Sequence, residues 1–464
     1  MVSKKNFSAA LAASVAVGAV VVPSLHTEAA PNAQSDHAFD NKVVKKVQVD
    51  NIYNHIDKLS EQPRVAGSEA EYEAVQYIKK QFESYGLEVE VQPFPFTSYT
   101  EPDTVSFSVE GSEMEFDVNT FSYGVNGQVS GELAYAGLGT KEDLEGKDLT
   151  GKIALIQRGE LSFADKVLNA AEKGAEGVII FNHSEGNING TFGEPNEDYV
   201  PAVALSKADG EALLEKVEAG ESVSASINIE GAETSEKTSY NVVATKEATH
   251  HDTNDIIILG AHHDSVAGAP GANDDASGTA MTLEMARVLS NMPTDTELRF
   301  VTFGAEENGL IGSTEYVKTL SEDEISRTKA MFQLDMVGSR DAGELIMYTA
   351  DGERNIVTDT AASAGARWSP EQDPVAYGQG GRSDHMPFAE AGIPAALFIH
   401  APVEPWYHSP DDTLDKISKE KLEEVAQIVG SSIYQLARKD TPALENAQVA
   451  PTDVEYPFET RELD

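Results

Sequence analysis

The spacing of apolar residues predicts helices in the first part of the chain and strands directly after them. Between residues 44 and 86, apolar side chains such as Ile78 and Phe82 recur every three to four positions, which is the helical period. Ser68 precedes this run and is a suitable N-cap residue. Residues 87–93 then alternate between apolar and polar side chains. We therefore expect helices that lead into extended chain.

Residues 116–234 show the pattern of a smaller α/β unit. Apolar runs at 152–157 and 177–181 predict strands, and the segment 163–173 between them repeats with a helical period. Ser162 precedes that helix as a capping residue. We expect this unit to be an insert, because the pattern on either side of it differs.

Continuous apolar runs alternate with helical patterns from Tyr240 onward, and residues 278–289 are an example of such a helix. Strands that are apolar at every position are typical of parallel sheets covered on both faces. The alternation predicts an α/β fold with a mostly parallel central sheet flanked by helices. The strand candidates are residues 241–245, 256–260, 298–303, 331–336, 344–348 and 395–399.

The two ends of the chain carry different patterns. Lys4 and Lys5 precede an apolar run at 9–22 and then small residues, which is the layout of a secretory signal peptide. We expect residues 1–30 to be removed on export, which leaves an extracellular mature protein with no membrane segment. Residues 439–464 are acidic and lack periodicity, which predicts a flexible tail.

Composition narrows the possible chemistry. The chain has 464 residues, with 34 Lys and Arg against 78 Asp and Glu, so its net charge is −44. Such an acidic surface repels phosphate groups, which argues against nucleic acid as a partner. Cysteine is absent, which excludes disulfides, thiolate nucleophiles and cysteine-ligated metals. Any bound metal must use His, Asp and Glu.

Histidines and carboxylates follow the predicted strands, at the ends where open α/β sheets bind ligands. Convergence of these side chains on one rim would create a metal site. Taken singly, each acid could instead be one of the many surface acids of this chain. The candidates are His262, Asp264, Asp274, Glu306, Glu307, Asp335 and His408.

Two local spacings indicate how such a site would work. His262 and Asp264 are two residues apart, so they share one face of an extended chain and the carboxylate can fix the imidazole tautomer. The adjacent Glu306 and Glu307 diverge, which allows one to bind metal and the other to take a proton from water. His263 faces away from His262 and is left outside the metal set.

Six short motifs occur in order along the chain, at 260–265, 271–278, 303–307, 334–338, 382–385 and 407–413. Together they resemble the co-catalytic zinc aminopeptidases of the M28 clan, in particular the secreted Bacillus type. Residues 116–234 resemble the protease-associated insert of such enzymes, notably at 152–158 and 175–180. The resemblance implies a zinc peptidase fold formed by residues 45–115 and 235–438, interrupted by the insert.

The resemblance implies the metal ligands. Asp274 would bridge two zinc ions. His262 and Asp335 would complete one site, and Glu307 and His408 would complete the other.

The resemblance also implies catalytic and binding roles. Glu306 matches the general base, and Tyr407 matches a hydroxyl that supports the tetrahedral intermediate. Arg382 matches a residue that faces the bound amino acid. The run Ser383-Asp384-His385 has the letters of a catalytic triad, but contiguous residues cannot form its relay, so we expect a supporting role.

These inferences predict a secreted metallo-aminopeptidase that uses two zinc ions to remove N-terminal residues, apolar or basic, from peptides. One alternative is a carboxypeptidase of the glutamate-releasing kind. Such an enzyme is expected to display basic residues near its motifs, and this chain has few there. A second alternative is a non-catalytic peptide-binding or receptor-like protein on the same scaffold. The oligomeric state is left open.

Overall fold

The structure is a computed structural model that describes residues 33–438 and 448–453, except 113, 187, 189, 370 and 372. The predicted signal peptide at 1–30 lies outside the described residues. Among the helices that the structure describes, none combines the length and the apolar character needed to cross a bilayer.

Helices and strands alternate along most of the chain. The helices are α1 (Ala33–Val44), α2 (Val49–Leu59), α3 (Glu69–Ser84), α4 (Phe163–Glu172), α5 (Lys207–Glu218), α6 (Ala276–Ser290), α7 (Ile311–Thr319), α8 (Glu322–Arg327), α9 (Ile356–Trp368), α10 (His385–Glu390) and α11 (Lys419–Ala437), with a 3-10 turn at Leu414–Lys416. The strands are β1 (Glu88–Thr100), β2 (Thr104–Val109), β3 (Val118–Asn119), β4 (Phe121–Ser122), β5 (Gly127–Tyr135), β6 (Lys152–Gln157), β7 (Gly177–Phe181), β8 (Gly190–Thr191), β9 (Ala202–Leu205), β10 (Ser224–Glu230), β11 (Glu233–Lys246), β12 (Ile256–His262), β13 (Glu297–Phe303), β14 (Thr328–Leu334), β15 (Glu344–Thr349), β16 (Ala376–Gln379), β17 (Ala395–Ala401) and β18 (Thr452–Asp453).

The large sheet has the strand order β1-β11-β13-β12-β14-β17-β15-β16-β18. Its centre is parallel, since β13, β12, β14 and β17 all run in the same direction. Antiparallel pairs occur where β1, β11 and β13 form one side and where β15 meets β17. The prediction of a mostly parallel central sheet is therefore confirmed, with antiparallel pairs outside its centre.

Both faces of this sheet are covered by helices. Along β12, Ile257 and Leu259 pack into the core formed with α2, α6 and α11, whereas Ile256 and Ile258 pack on the side of α7 and α10. All seven residues of β12 are buried. This two-sided burial explains the uninterrupted apolar runs in the sequence.

Helix α1 belongs to the same core. Phe39 stacks on Tyr434 of α11 with ring centroids 4.7 Å apart. The Asp40 carboxylate accepts a hydrogen bond of 2.6 Å from Nε of Arg367, and both side chains are buried. We therefore propose that the unit built on the large sheet begins before the predicted start at 45.

The insert forms a second sheet with the strand order β2-β10-β5-β6-β7-β9-β3. It is parallel from β5 through β9 and antiparallel at β2, β10 and β3. The chain enters it from β1 and leaves it into β11, which pair with each other from Glu88 with Thr245 to Thr100 with Glu233. Because β2 pairs with β10, we propose insert boundaries at 101 and 232 instead of 116 and 234.

The predicted tail at 439–464 lies mostly outside the described residues. Its described part, 448–453, runs beside the large sheet, where Thr452 and Asp453 pair with β16. The Val449 backbone N–H also donates a hydrogen bond to the Ser363 hydroxyl.

Candidate metal centre

The five predicted metal ligands meet at the carboxyl-terminal edge of the parallel strands. His262 is the last residue of β12, and Asp335 directly follows β14. Glu307 lies in the loop after β13, and Asp274 lies just before α6. His408 comes from the long loop after β17, so four strand ends and one helix start supply the donors.

Asp274 lies at the middle of this cluster. Its Oδ1 is 3.1 Å from Nε2 of His262, and its Oδ2 is 3.2 Å from Nε2 of His408. Nε2 of His262 is also 3.6 Å from Oδ1 of Asp335, and Nε2 of His408 is 3.0 Å from Oε2 of Glu307. The arrangement is two donor sets that share one carboxylate.

Left-handed backbone occurs beside three of these donors. Ala305, Met336 and His408 have φ values of 54°, 56° and 55°. Such values are uncommon for residues other than glycine and concentrate at functional sites. Here they lie at His408, next to Asp335 and in the turn that leads to Glu307.

Asp264 joins two parts of the centre. One of its oxygens lies 3.5 Å from Nδ1 of His262. Its two oxygens also accept the backbone N–H groups of Glu306 at 3.2 Å and Glu307 at 3.3 Å. Asp264 therefore lies beside the imidazole and holds the loop that carries the two glutamates.

The two glutamates reach different places. Oxygens of Glu307 and Asp274 and a nitrogen of His262 all lie within 4.8 Å of one another. Glu306 forms a similar group with His262 and Asp335 instead. Burial raises the pKa of Glu307 to about 7 and raises the pKa of Glu306 well above its ordinary value.

The histidines respond to this negative charge. Burial opposes protonation of His408, but hydrogen bonds with Asp274 and Glu307 raise its pKa to about 10. Burial also opposes the charge on His262, whose pKa is nevertheless raised by the carboxylates of Glu306 and Asp335. The pocket thus favours positive charge at both histidines.

The chemistry of the donor set fits two zinc ions. Zinc in proteins is bound by histidine nitrogen and carboxylate oxygen. Oδ1 of Asp335 and Oε1 of Glu307 are buried and find no hydrogen-bond partner in the described part of the chain. A cation in each donor set would pair these oxygens and offset the repulsion among the buried carboxylates.

Tyr407 and Arg382 lie nearer the solvent. The Tyr407 ring stacks on the His408 imidazole with centroids 3.8 Å apart, and its side chain is 40% exposed. Arg382 is exposed in the loop between β16 and α10. Across the residues described here, it makes no hydrogen bond or ion pair, so its predicted contact with substrate stays a prediction.

Asp275 is a buried residue outside the predicted set of site residues. Its carboxylate accepts backbone N–H groups from His262, Gly278 and Met336, at 3.2, 2.8 and 3.2 Å. It therefore ties the ends of β12 and β14 to the start of α6. Its position next to Asp274 was the available signal, but a single sequence cannot show these three partners.

The neighbouring side chains have supporting positions. His263 is buried, with Nδ1 3.1 Å from the Thr302 hydroxyl and Nε2 3.7 Å from Glu71. Asp384 is buried and accepts a hydrogen bond from Gln333. Burial raises the pKa of Asp384 to about 7.

Comparison with known proteins connects this geometry to a family. Residues 241–433 match peptidase family M28, and residues 129–213 match the PA domain. The chain is 37% identical over 438 residues to aminopeptidase YwaD of Bacillus subtilis (strain 168), covering 90% of each chain. It is 34% identical over 354 residues to a probable leucine aminopeptidase 2 of Aspergillus fumigatus, covering 74% of this chain and 69% of that one.

Solved structures agree in fold. An aminopeptidase from Aneurinibacillus sp. strain AM-1 is 59% identical with a TM-score of 0.83, over 86% of this chain and 96% of that chain. A zinc aminopeptidase from Bacillus subtilis is 37% identical with a TM-score of 0.66, over 86% and 97%. These matches confirm the predicted α/β fold and protease-associated insert. The chain therefore belongs to peptidase family M28.

Proposed function

We propose that the protein is a secreted aminopeptidase that uses two zinc ions to hydrolyse the first peptide bond of peptide substrates. The observation that carries this proposal is the position of Asp274. Each of its oxygens faces a different histidine, and each histidine has a further carboxylate of its own, Asp335 or Glu307. This is the donor pattern of two-metal hydrolases.

The residues of this chain divide into holding and reacting groups. His262, Asp274, Glu307, Asp335 and His408 would hold the metals. Two bound zinc ions supply Lewis acidity, which polarises the scissile carbonyl and lowers the pKa of the attacking water. Asp264 fixes the imidazole of His262 and the backbone of the glutamate loop.

Glu306 is the proton carrier of this proposal. It takes a proton from the attacking water and delivers it to the nitrogen of the scissile bond, which becomes the α-amine of the shortened peptide as the C–N bond breaks. A buried carboxylate with a raised pKa is suited to both steps, because it holds the proton between them. The hydroxyl of Tyr407, a partly exposed residue, donates a hydrogen bond to the oxygen of the tetrahedral intermediate.

The charge of the pocket supports recognition of the amino end. Glu306 holds no metal in this proposal, so its carboxylate stays free to attract an α-amine and to repel a substrate carboxylate. The guanidinium of Arg64, although buried nearby, donates to the backbone carbonyls of Leu59, His263, Pro270 and Gly271. Arg64 is thus already committed and is unsuited to bind a substrate carboxylate. Arg382 would face the bound amino acid from the rim.

The test is to follow which end of a peptide is released. The mature, zinc-reconstituted protein is incubated with a tripeptide that has leucine first, and products are identified by mass spectrometry. We expect the protein to release leucine. This activity should be lost when a chelator removes the metal and should return when Zn²⁺ is added. Release of the last residue would favour the carboxypeptidase alternative, and zinc uptake without cleavage would favour the non-catalytic one.

A further inference from the structure

Asp412 makes three hydrogen bonds to the segment that presents Asp274. Its carboxylate oxygens accept the backbone N–H of Asn273 at 2.8 Å and of Asp274 at 3.0 Å. Its backbone carbonyl accepts the N–H of Ala272 at 3.3 Å. Asp412 is only 1% exposed, so these bonds are shielded from competing water.

The same residue belongs to the loop that carries His408. The Asp412 backbone N–H donates to the Ser409 carbonyl at 3.1 Å, which closes the turn directly after His408. Asp412 therefore connects the backbone of Asp274 to the loop of His408. These two proposed ligands are 134 residues apart in the chain (408 − 274).

Asn273 extends the connection to a third ligand segment. Its Oδ1 accepts the backbone N–H of Gly338, three residues after Asp335, at 2.8 Å. Its Nδ2 donates to Oε1 of Glu404, four residues before His408, at 2.8 Å. Asn273 and Glu404 are both buried.

We propose that Asp412 and Asn273 are positioning residues that hold Asp274 so that both of its oxygens face their histidines. We refer to these two residues as the Asp274 clamp. This inference rests on the proposed two-zinc function. Because Asp274 serves both donor sets, loosening its backbone weakens both zinc sites together, although neither clamp residue touches a metal. Loss of an outer hydrogen-bond partner typically costs 10–100-fold in metal affinity.

The central variant is Asp412→Asn, which keeps the shape of the side chain. An amide has one acceptor oxygen, so one of the two buried N–H groups of 273 and 274 would then face an NH₂ group. Asp411→Asn is the matched control, because Asp411 is the exposed neighbour and its change removes the same charge. Asn273→Ala is the second variant and leaves the carboxylate of Asp412 intact.

The probe is Zn²⁺ alone, titrated into each metal-free protein against a chromophoric chelator. Thermal unfolding of the metal-free proteins is recorded in parallel. We expect D412N and N273A to weaken both zinc-binding steps about 10–100-fold while D411N matches the wild type. If D412N fails to fold, N273A carries the same expectation.

Two results would overturn the proposed role of the Asp274 clamp. One is a folded D412N with wild-type zinc affinity at both sites. The other is a loss at one site only, because that would show a local effect on the His408 loop. A wild-type protein that binds a single zinc ion would instead overturn the proposed two-zinc function, so the two failures are distinguishable.

Discussion

Asp264 lies 3.5 Å from Nδ1 of His262, on the side of the imidazole opposite to Asp274. The ring is therefore held between two carboxylates, of which one faces the metal centre and the other faces the protein interior. Since Asp264 also accepts two backbone N–H groups from the glutamate loop, it connects His262, a proposed ligand, to Glu306, the proposed general base.

This arrangement predicts the effect of Asp264→Asn. An amide cannot accept both backbone N–H groups of the glutamate loop, and it stabilises an N–H on Nδ1 less well than a carboxylate does. We expect zinc affinity or turnover to fall about 10–100-fold. Zinc titration and steady-state kinetics measure the two effects separately. Wild-type values for both quantities in a folded variant would contradict the role of Asp264.

The candidate ligands could be predicted because their positions follow from where the parallel strands end. Apolar runs located β12, β13 and β14, and the polar residues just after them fall at one edge of any parallel sheet. The short-range predictions were also close, since the strands at 152–157 and 177–181 have the predicted bounds and Ser68 caps α3. Each of these features depends on residues near one another in the chain.

Long-range pairing could not be predicted from one sequence. Strand β2 joins the insert only because it pairs with β10, more than a hundred residues later. The backbone N–H groups that donate to the Asp412 carboxylate are 138 and 139 residues away in the chain. Nothing in the local pattern around 412 records these contacts, although the residue lies within a recognised motif.

A second prediction concerns the shared ligand. Asp274→Ala should lower zinc content from two ions per chain toward none, because both donor sets lose an oxygen. His408→Ala should remove only the ion of the Glu307 side. Elemental analysis after dialysis measures both contents. If Asp274→Ala kept one ion per chain, Asp274 would not serve two ions.

A third prediction separates the adjacent glutamates. Glu306→Gln should keep zinc and reduce kcat by roughly 10²–10⁴-fold, because the amide cannot accept a proton. Glu307→Gln should weaken zinc binding instead, since its oxygen lies 3.0 Å from the ligand atom of His408. Zinc content and kcat are measured for each variant. If Glu306→Gln lost zinc while Glu307→Gln kept it, the two roles would be reversed.

A fourth prediction concerns the stability of the catalytic unit. Asp40→Ala should lower the free energy of unfolding by about 3–5 kcal/mol, because it leaves the guanidinium of Arg367 buried without its carboxylate. Asp50→Ala is the control, since its ion pair with Lys419 is solvent-exposed and should matter little. Urea unfolding measures the free energy of unfolding of both variants. A change as small for Asp40→Ala as for the control would mean that α1 is not part of the cooperative core.

The last prediction concerns which end of the substrate is bound. In the proposed function Glu306 is the carboxylate at the centre that binds no metal, so it would attract the positive charge of an α-amine, and removing that charge should prevent productive binding. We expect N-acetylation of a short peptide to abolish cleavage and C-terminal amidation to change kcat/KM little.

The same charges should determine how fast peptides with different first residues are cleaved. Peptides that begin with leucine or lysine should be cleaved faster than the matched peptide that begins with glutamate, because the acidic side chain adds repulsion from the pocket and from a chain of net charge −44. The long-range part of this repulsion is screened by salt, so added NaCl should narrow the difference without removing it. Arg382→Ala should lower kcat/KM for every peptide while leaving this order unchanged. Rapid release of C-terminal residues from the acetylated peptide would contradict this prediction, because it would show that the pocket accepts a carboxylate.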